Sequence, residues 1–370
     1  MIHAFKEAFE DRDTILRREK EQGKKIIGWV CTYVPEEIFY AAGFYPVRIF
    51  GGKADTTRAD AYLYSNICSF ARSCLEEGFR NYSALLDGFV AVNSCDHIRR
   101  LYDVWKGYLP APFTHILSLP HKVSGSATAF YTKQLARMKE GLEATFSVKI
   151  SEERLREAIA LYNTHRRLLK ELYSLRKSPT PPISGSEVME VVLAGMVLPK
   201  EQHNEMLRKL LAELKGKQPS GEADGKPRIL VSGSELDEAD YIRTIEDLGG
   251  LVVADDLCNG TRYFWDLVDE QRDPLEALAQ RYLAKAPCAR MRPAQERMAF
   301  IRDLIQEFQV DGVVYETLKF CDLYGEDYPI LKENLDELQV PVVSLDREHR
   351  SAGVGQTKTR VQAFLEKLGG

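Results

Sequence analysis

Two parallel α/β units separated by a run of long helices form the fold class that the sequence predicts, and three observations predict it. Residues 24–121 alternate short apolar runs with helix-like ones. Residues 126–214 carry helical periodicity with no convincing strand. After a stretch rich in Gly, Pro and charge, "KGKQPSGEADGKP" (215–227), the alternation resumes and continues to the end.

The N-terminal residues 1–23 read as a charged amphipathic helix. "KKIIGWVCTYV" then reads as a strand, "PEEIFYAAG" as a helix opened by Pro35 and closed by Gly43, and "YPVRIFG" as a strand. "CSFARSCLEEGFRNY" is helix-like, "LDGFVAVNSC" a strand, "DHIRRLYDVWKGY" a helix and "FTHILSLP" a strand. In 151–177, Leu155, Ala158, Ile159, Tyr162, Leu169, Leu172 and Tyr173 recur at helical spacing behind a candidate N-cap at Ser151. The last third holds four strand candidates, "RILVSGS", "LVVADDL", "DGVVYETL" and "PVVSLD", with a helix expected to start near Gly325 or Glu326 beyond Cys321, and closes on the helical "TKTRVQAFLEKL". Right-handed crossovers turn each alternating stretch into a Rossmann-like or flavodoxin-like parallel sheet. The expected organisation is a helix at 1–23, α/β domains at 24–125 and 228–370, a helical segment at 126–214 and a linker at 215–227.

Composition narrows the function. The chain has 370 residues, 44% hydrophobic and 28% charged, with a formal charge of −5 and a pI near 5.9. No basic run interleaved with aromatics marks a nucleic-acid partner. No apolar stretch reaches the ~18 residues of a membrane span, and the charged N-terminus lacks the apolar core of a signal peptide. A cytoplasmic location is the expectation, and there seven cysteines are expected to be free, metal-bound or catalytic. No Cys-x-x-Cys occurs among them, so any metal site must be assembled from distant parts of the chain.

Ligands of parallel sheets gather at strand carboxyl ends. Cys95, Cys258 and Cys321 follow strand candidates, Cys31 lies near the end of one, and Cys68 opens a helix. Cys74 is six residues beyond Cys68 on another face of that helix and reads as packing; Cys288, in "KAPCARMRP", reads as structural. "VSGSELD" offers Ser232 and Ser234 as phosphate contacts at a helix N-terminus, with a tight turn capped by Ser234 as the alternative. Glu36 and Glu37 suit the first turn of a helix, although Thr32 and Glu37 are also candidates to face a substrate. His97, two residues after Cys95, is the candidate acid–base histidine; the others read as surface or packing positions.

The stretches "GWVCTYVPEEIFYAAGFYPVRI", "NICSFARSCLEEGF", "LDGFVAVNSCDHIRRLYDVW", "DDLCNGTRYF", "VDGVVYETLKFCDLYGEDYPILKENL" and "VPVVSLDREH" followed by "GQTKTRVQAFLE" occur in one order over almost the whole chain. Together they resemble the 2-hydroxyacyl-CoA dehydratase and benzoyl-CoA reductase family. The resemblance implies a 4Fe–4S cluster held by Cys68, Cys95 and Cys321, with Cys31 and Cys258 lining its pocket. It further implies an acyl-CoA substrate, a related second subunit in a heterodimer or a homodimer, and a separate ATP-dependent iron–sulfur activator. The absence of a P-loop motif agrees with ATP being bound elsewhere. A branch with a double-cubane cluster would carry extra cysteines beside "PVRIFGG", where this chain has Phe50.

Three thiolates leave one iron free for water or substrate oxygen. The chemistry that needs such a site is a difficult one: in a 2-hydroxyacyl thioester the C3 proton is scarcely acidic, and one electron on the carbonyl makes a ketyl radical anion that can expel the 2-hydroxyl. The same electron on an aromatic thioester begins ring reduction. Two other readings stay open at this point: an electron-relay subunit whose partner holds the substrate, and a metal-free two-domain module that closes on a small molecule.

Overall fold

The computed structural model describes residues 1–52, 54–109, 111–216, 225–349 and 354–369. It contains two four-stranded, fully parallel sheets. The first comprises β1 (Ile26–Trp29), β2 (Tyr45–Arg48), β3 (Gly88–Val92) and β4 (Phe113–Leu117). The second comprises β5 (Arg228–Gly233), β6 (Leu251–Asp256), β7 (Gly312–Leu318) and β8 (Val342–Arg347). Their orders, β2-β1-β3-β4 and β6-β5-β7-β8, repeat one connectivity. Each sheet therefore reverses its winding between its central strands, at β1/β3 and at β5/β7, the place where doubly wound sheets open a crevice.

The central strands β1, β3, β5 and β7 are buried along their whole length, whereas the edge strands β4 and β8 alternate or thin out. That is why "FVAV" and "VVYETL" read as continuous apolar runs: helices cover both faces. The helices between the sheets, Gly125–Phe146, Glu152–Ser174, Gly185–Gly195 and Lys200–Lys215, do not form an isolated bundle. One apolar core runs from Trp29 and Val90 through Leu135, Leu169 and Val191 to Val231 and Val313, so burial couples the three parts. A second core covers the other face of the first sheet and takes in Leu318 from the end of β7. Most of the expected linker, 217–224, lies outside the described residues.

Two local expectations are corrected. "VSGSELD" does not open a helix at Ser234; the helix begins at Ala239 with Glu238 at its N-cap. Ser234 Oγ instead accepts from Leu318 N (2.8 Å), a demand made by the neighbouring strand. The helix after Cys321 starts at Asp322 rather than near Gly325, because Phe320 turns the chain through a left-handed conformation (φ 65°) immediately beforehand.

The two crevices meet at strand carboxyl ends, and Gly233 closes β5 there with φ 142°. A Cβ at this position would stand 1.9 Å from Glu316 O. Gly233→Ala should therefore lower stability by ~3 kcal/mol through backbone strain and overpacking, read as a fall in the urea midpoint at unchanged m-value. A wild-type midpoint would show that β5 and β7 separate there at little cost.

Candidate functional site

Three of the sequence-selected cysteines occupy equivalent local positions. Cys68 is the N-cap of the helix Ser69–Glu77, Cys95 of the helix Asp96–Tyr108 and Cys321 of the helix Asp322–Glu337. Cys95 and Cys321 follow β3 and β7, the corresponding strands of the two halves. Each cysteine thus sits where unpaired backbone N–H groups and the positive end of a helix dipole collect. At Cys95 this is explicit, since Sγ accepts from Ile98 N at 3.5 Å.

Contacts between the halves tie together the segments that carry these helix ends. Arg290 Nε donates to Ser94 O at 2.6 Å, Tyr33 Oη accepts from Cys288 N at 3.1 Å, and Ser69 Oγ accepts from His349 N at 2.7 Å. Cys321 packs against both apolar cores.

The thiols sense one another electrostatically. Burial pushes the Cys68 thiol up to about 11. Burial and the neighbouring Cys68 push Cys95 up to about 12. Burial, then Cys68 and Cys95, hold Cys321 well above the ordinary thiol range. In the absence of a metal these groups keep their protons at neutral pH, and a bound cation reverses that by displacing them. Cys31, Cys258 and Cys288 adjoin the same region: Cys31 and Cys258 interact, and burial, Arg262 and both of those thiols act on Cys288, whose value is pushed up to about 11. Cys288, read as structural, faces this region with Sγ 3.5 Å from Tyr324 Oη. Cys74 is fully buried in the second core.

The remaining candidates separate clearly. His97 Nδ1 accepts from Cys68 N at 3.3 Å, so this half-buried ring ties the Cys68 loop to the helix opened by Cys95. Burial lowers its pKa, with Asp322 and Asp96 opposing. Thr32 Oγ1 accepts from Lys285 Nζ at 3.4 Å. Glu37 is fully buried, 2.5 Å from Arg166 Nη2, and accepts from Tyr282 Oη at 2.9 Å. Ser232 Oγ donates to Asp256 (2.9 Å) and Ser234 Oγ to Glu316 (3.2 Å), both with no exposure. Beside those carboxylates the two hydroxyls are not phosphate contacts, which corrects that expectation.

Sequence reasoning missed Lys285, Arg262, Arg290 and His349; Arg262 in "DDLCNGTRYF" and His349 in "VPVVSLDREH" lie in stretches already quoted, whereas Lys285 and Arg290 lie in no local pattern that would mark them. His349, with Glu235 and Asp237, forms a buried group of ligand-type atoms within 4.8 Å of one another, and the cysteines do not form such a group among the described residues. Its charges are answered in place: His349 Nε2 is 2.8 Å from Asp237 Oδ1, and Glu235 meets Asn259 Nδ2 at 2.7 Å and Arg48 at 3.8 Å. Thiolates that each bind a different iron stand further apart than ligands of a single ion. A cavity of about 340 Å³ opens nearby, lined by acidic residues including Glu10, Asp13, Glu77 and Glu190, and by none of the cysteines.

Comparison with known proteins adds the following. A family model described as 2-hydroxyglutaryl-CoA dehydratase, D-component, matches residues 31–368. An Escherichia coli (strain K12) protein described provisionally as a dehydratase subunit is 32% identical, covering 94% of this chain and 93% of its own. The (R)-phenyllactyl-CoA dehydratase beta subunit of Clostridium sporogenes is 27% identical over 98% and 97%. A benzoyl-CoA reductase subunit of Thauera aromatica is 27% identical over 97% and 96%.

Glu37 provides a test of structural against chemical roles. Burial disfavours its ionisation, but Arg166 and Arg281 outweigh burial and hold its pKa below the ordinary value. Its stabilisation is therefore present above the unfolded carboxylate pKa and is lost as pH falls through the lowered folded value. Glu37→Gln should cost ~3 kcal/mol at pH 7, because it leaves Arg166 buried without its anion, and the gap from wild type should close in acid. Equal stability at pH 7 would remove Glu37 from the framework of the fold.

Proposed function

The chain belongs to the family of the 2-hydroxyglutaryl-CoA dehydratase D-component, and from that membership we propose that it is the 4Fe–4S-binding subunit of a 2-hydroxyacyl-CoA dehydratase or benzoyl-CoA reductase-type enzyme. The relatives it matches are enzyme subunits of those two kinds. The observation that carries the reading is that Cys68, Cys95 and Cys321 each cap a helix N-terminus and that their buried thiols act on one another across the two halves.

The donor set and its surroundings fit such a group. Three sulfurs suit iron, and an anionic cluster suits helix N-termini. Arg262 is 1% exposed, and its Nη1 has no hydrogen-bond partner among the described residues, so a buried guanidinium N–H beside Cys258 and Cys288 awaits an acceptor. When bound, the cluster supplies low-potential electron transfer through an iron that lacks a protein thiolate. The chain's own residues supply the rest. The cysteines would hold iron as thiolates, while His97 fixes the Cys68 loop and Arg290 pins Ser94 beside Cys95. The apolar cores exclude water from the back of the cleft.

Three of the relatives are named as beta subunits, and we extend that to a second subunit that completes the substrate site for an acyl-CoA thioester. A separate ATP-dependent iron–sulfur activator is the electron source in this reading. An electron-relay role with substrate on the partner is the same assembly with a different division of labour, and activity of the chain alone would exclude it.

Anaerobic reconstitution tests the proposal. Wild type should bind about four irons and four sulfides per chain, giving a brown protein. Cys68→Ala, Cys95→Ala and Cys321→Ala should each lose most of that iron, while Cys74→Ala and Cys288→Ala retain it. Circular dichroism should show all five folded. A colourless wild type supports the metal-free binding module instead, and equal iron loss in all five variants would reduce the cysteines to packing residues.

A further inference from the structure

Lys285 caps the helix Pro274–Ala284, and its side chain is 1% exposed. Nζ donates to Arg262 O at 2.8 Å and to Thr32 Oγ1 at 3.4 Å, and lies 4.2 Å from the centre of the Tyr33 ring. All three partners are neutral. Several other buried basic side chains have carboxylates: Arg166 has Glu37, Lys200 has Glu36, Arg347 has Glu316, Arg297 has Asp256 and Asp327, and Arg262 has Asp256 at 3.4 Å, whereas Arg281 bonds only to the Asp266 and Tyr263 carbonyls among the described residues. Among the described residues, no carboxylate stands within ion-pair distance of Lys285.

An ammonium withdrawn from water with no anion beside it is strongly disfavoured. Arg281 and Arg262 add to the strain, since both are cations that act on Lys285; burial, then Arg281, lowers its pKa to about 8. The opposing influences are the thiols Cys258 and Cys31, and Cys31 in turn acts on Cys95. Arg262, whose carbonyl Lys285 holds, carries an unsatisfied Nη1 and is acted on by Cys258 and Cys288. Arg262 has Asp256 at 3.4 Å on its Nε side, so Lys285 is the cation left facing thiols that, while protonated, carry no charge to balance it.

We propose that Lys285 is the counter-cation of the anionic group held by Cys68, Cys95 and Cys321, a positioning residue that acts through the field at the thiol pocket and raises the electron affinity of the iron–sulfur cluster there. This rests on the iron–sulfur reading given above. Because a reduced cluster carries one more negative charge than an oxidised one, a fixed cation nearby favours reduction. Its effect is on the redox equilibrium, and contact with the substrate is not required.

The test is an EPR-monitored redox titration of anaerobically reconstituted full-length protein, with iron content measured in parallel. Lys285→Met should retain iron but lower the reduced-to-oxidised ratio at a fixed potential about tenfold, a midpoint ~59 mV more negative for one electron. Lys285→Arg should restore the wild-type midpoint. Lys285→Gln, which keeps a donor for Arg262 O and Thr32, serves if the Met variant does not fold. A wild-type midpoint in the neutral variants overturns the proposal and leaves the cluster standing. So does an equal shift in the Arg variant, or unfolding of both neutral variants, each of which makes Lys285 a packing staple. Wild-type protein that takes up no iron removes the cluster reading itself, and the proposal with it.

Discussion

Parallel strand pairing is the constraint from which the rest follows. Each strand must be followed by a crossover, and each crossover returns a helix whose N-terminus lies at the strand's carboxyl edge. Two sheets of one connectivity, touching at those edges through Arg48–Glu235, Lys285–Thr32 and Arg290–Ser94, gather helix N-termini from both halves into one region. A residue three positions beyond β3 or β7 is then obliged to be a helix cap at the cleft, and this chain puts Cys95 and Cys321 there. Convergence of residues 226 positions apart (95 to 321) needs no special device beyond the doubled topology.

Holding the halves in register requires interactions that do not slide. Glu36 and Glu37 begin the helix after β1; Glu36 meets Lys200 (3.2 Å) and Tyr263 Oη (2.7 Å), and Glu37 meets Arg166 and Tyr282. One turn of helix is thereby tied to the helical segment and to the second half. Buried ion pairs of this kind add little net stability compared with apolar packing, since desolvation offsets the Coulomb attraction. Their geometry is demanding, however, and they lie just after Cys31 and Thr32, so they fix the wall of the cleft.

The strands and the long helices were legible because burial on two faces or on one stripe leaves its period in the sequence: "GFVAV" and the stripe from Leu155 to Tyr173 are where they were expected. Local signals failed where a tertiary partner overruled them. Gly325 looked like a helix start, but the turn is made at Phe320, a residue whose positive φ no composition rule anticipates. Ser234 looked like a cap, but its hydroxyl answers Leu318 N from β7. Glu37 suited a helix dipole, and its real partner Arg166 stands 129 residues away. Lys285 had no signal at all, because what distinguishes it is the lack of a nearby anion in three dimensions.

These placements give the cleft opposed electrostatic tendencies. Burial disfavours additional negative charge on anything held by the cysteines, which pulls a cluster's potential down and suits difficult reductions. Three helix N-termini, Arg262 and Lys285 act in the other direction, supplying fixed positive potential that makes an anionic occupant tolerable in a dry site. Under the proposed iron–sulfur reading neither tendency alone would serve, since a site governed by burial would not keep a cluster and one governed by cations would hold an electron too firmly to pass on. The scaffold sets the first through its cores, which tolerate little change. It sets the second through a few side chains at strand ends, where substitution leaves the sheets intact, so the potential can be adjusted by single residues without rebuilding the fold.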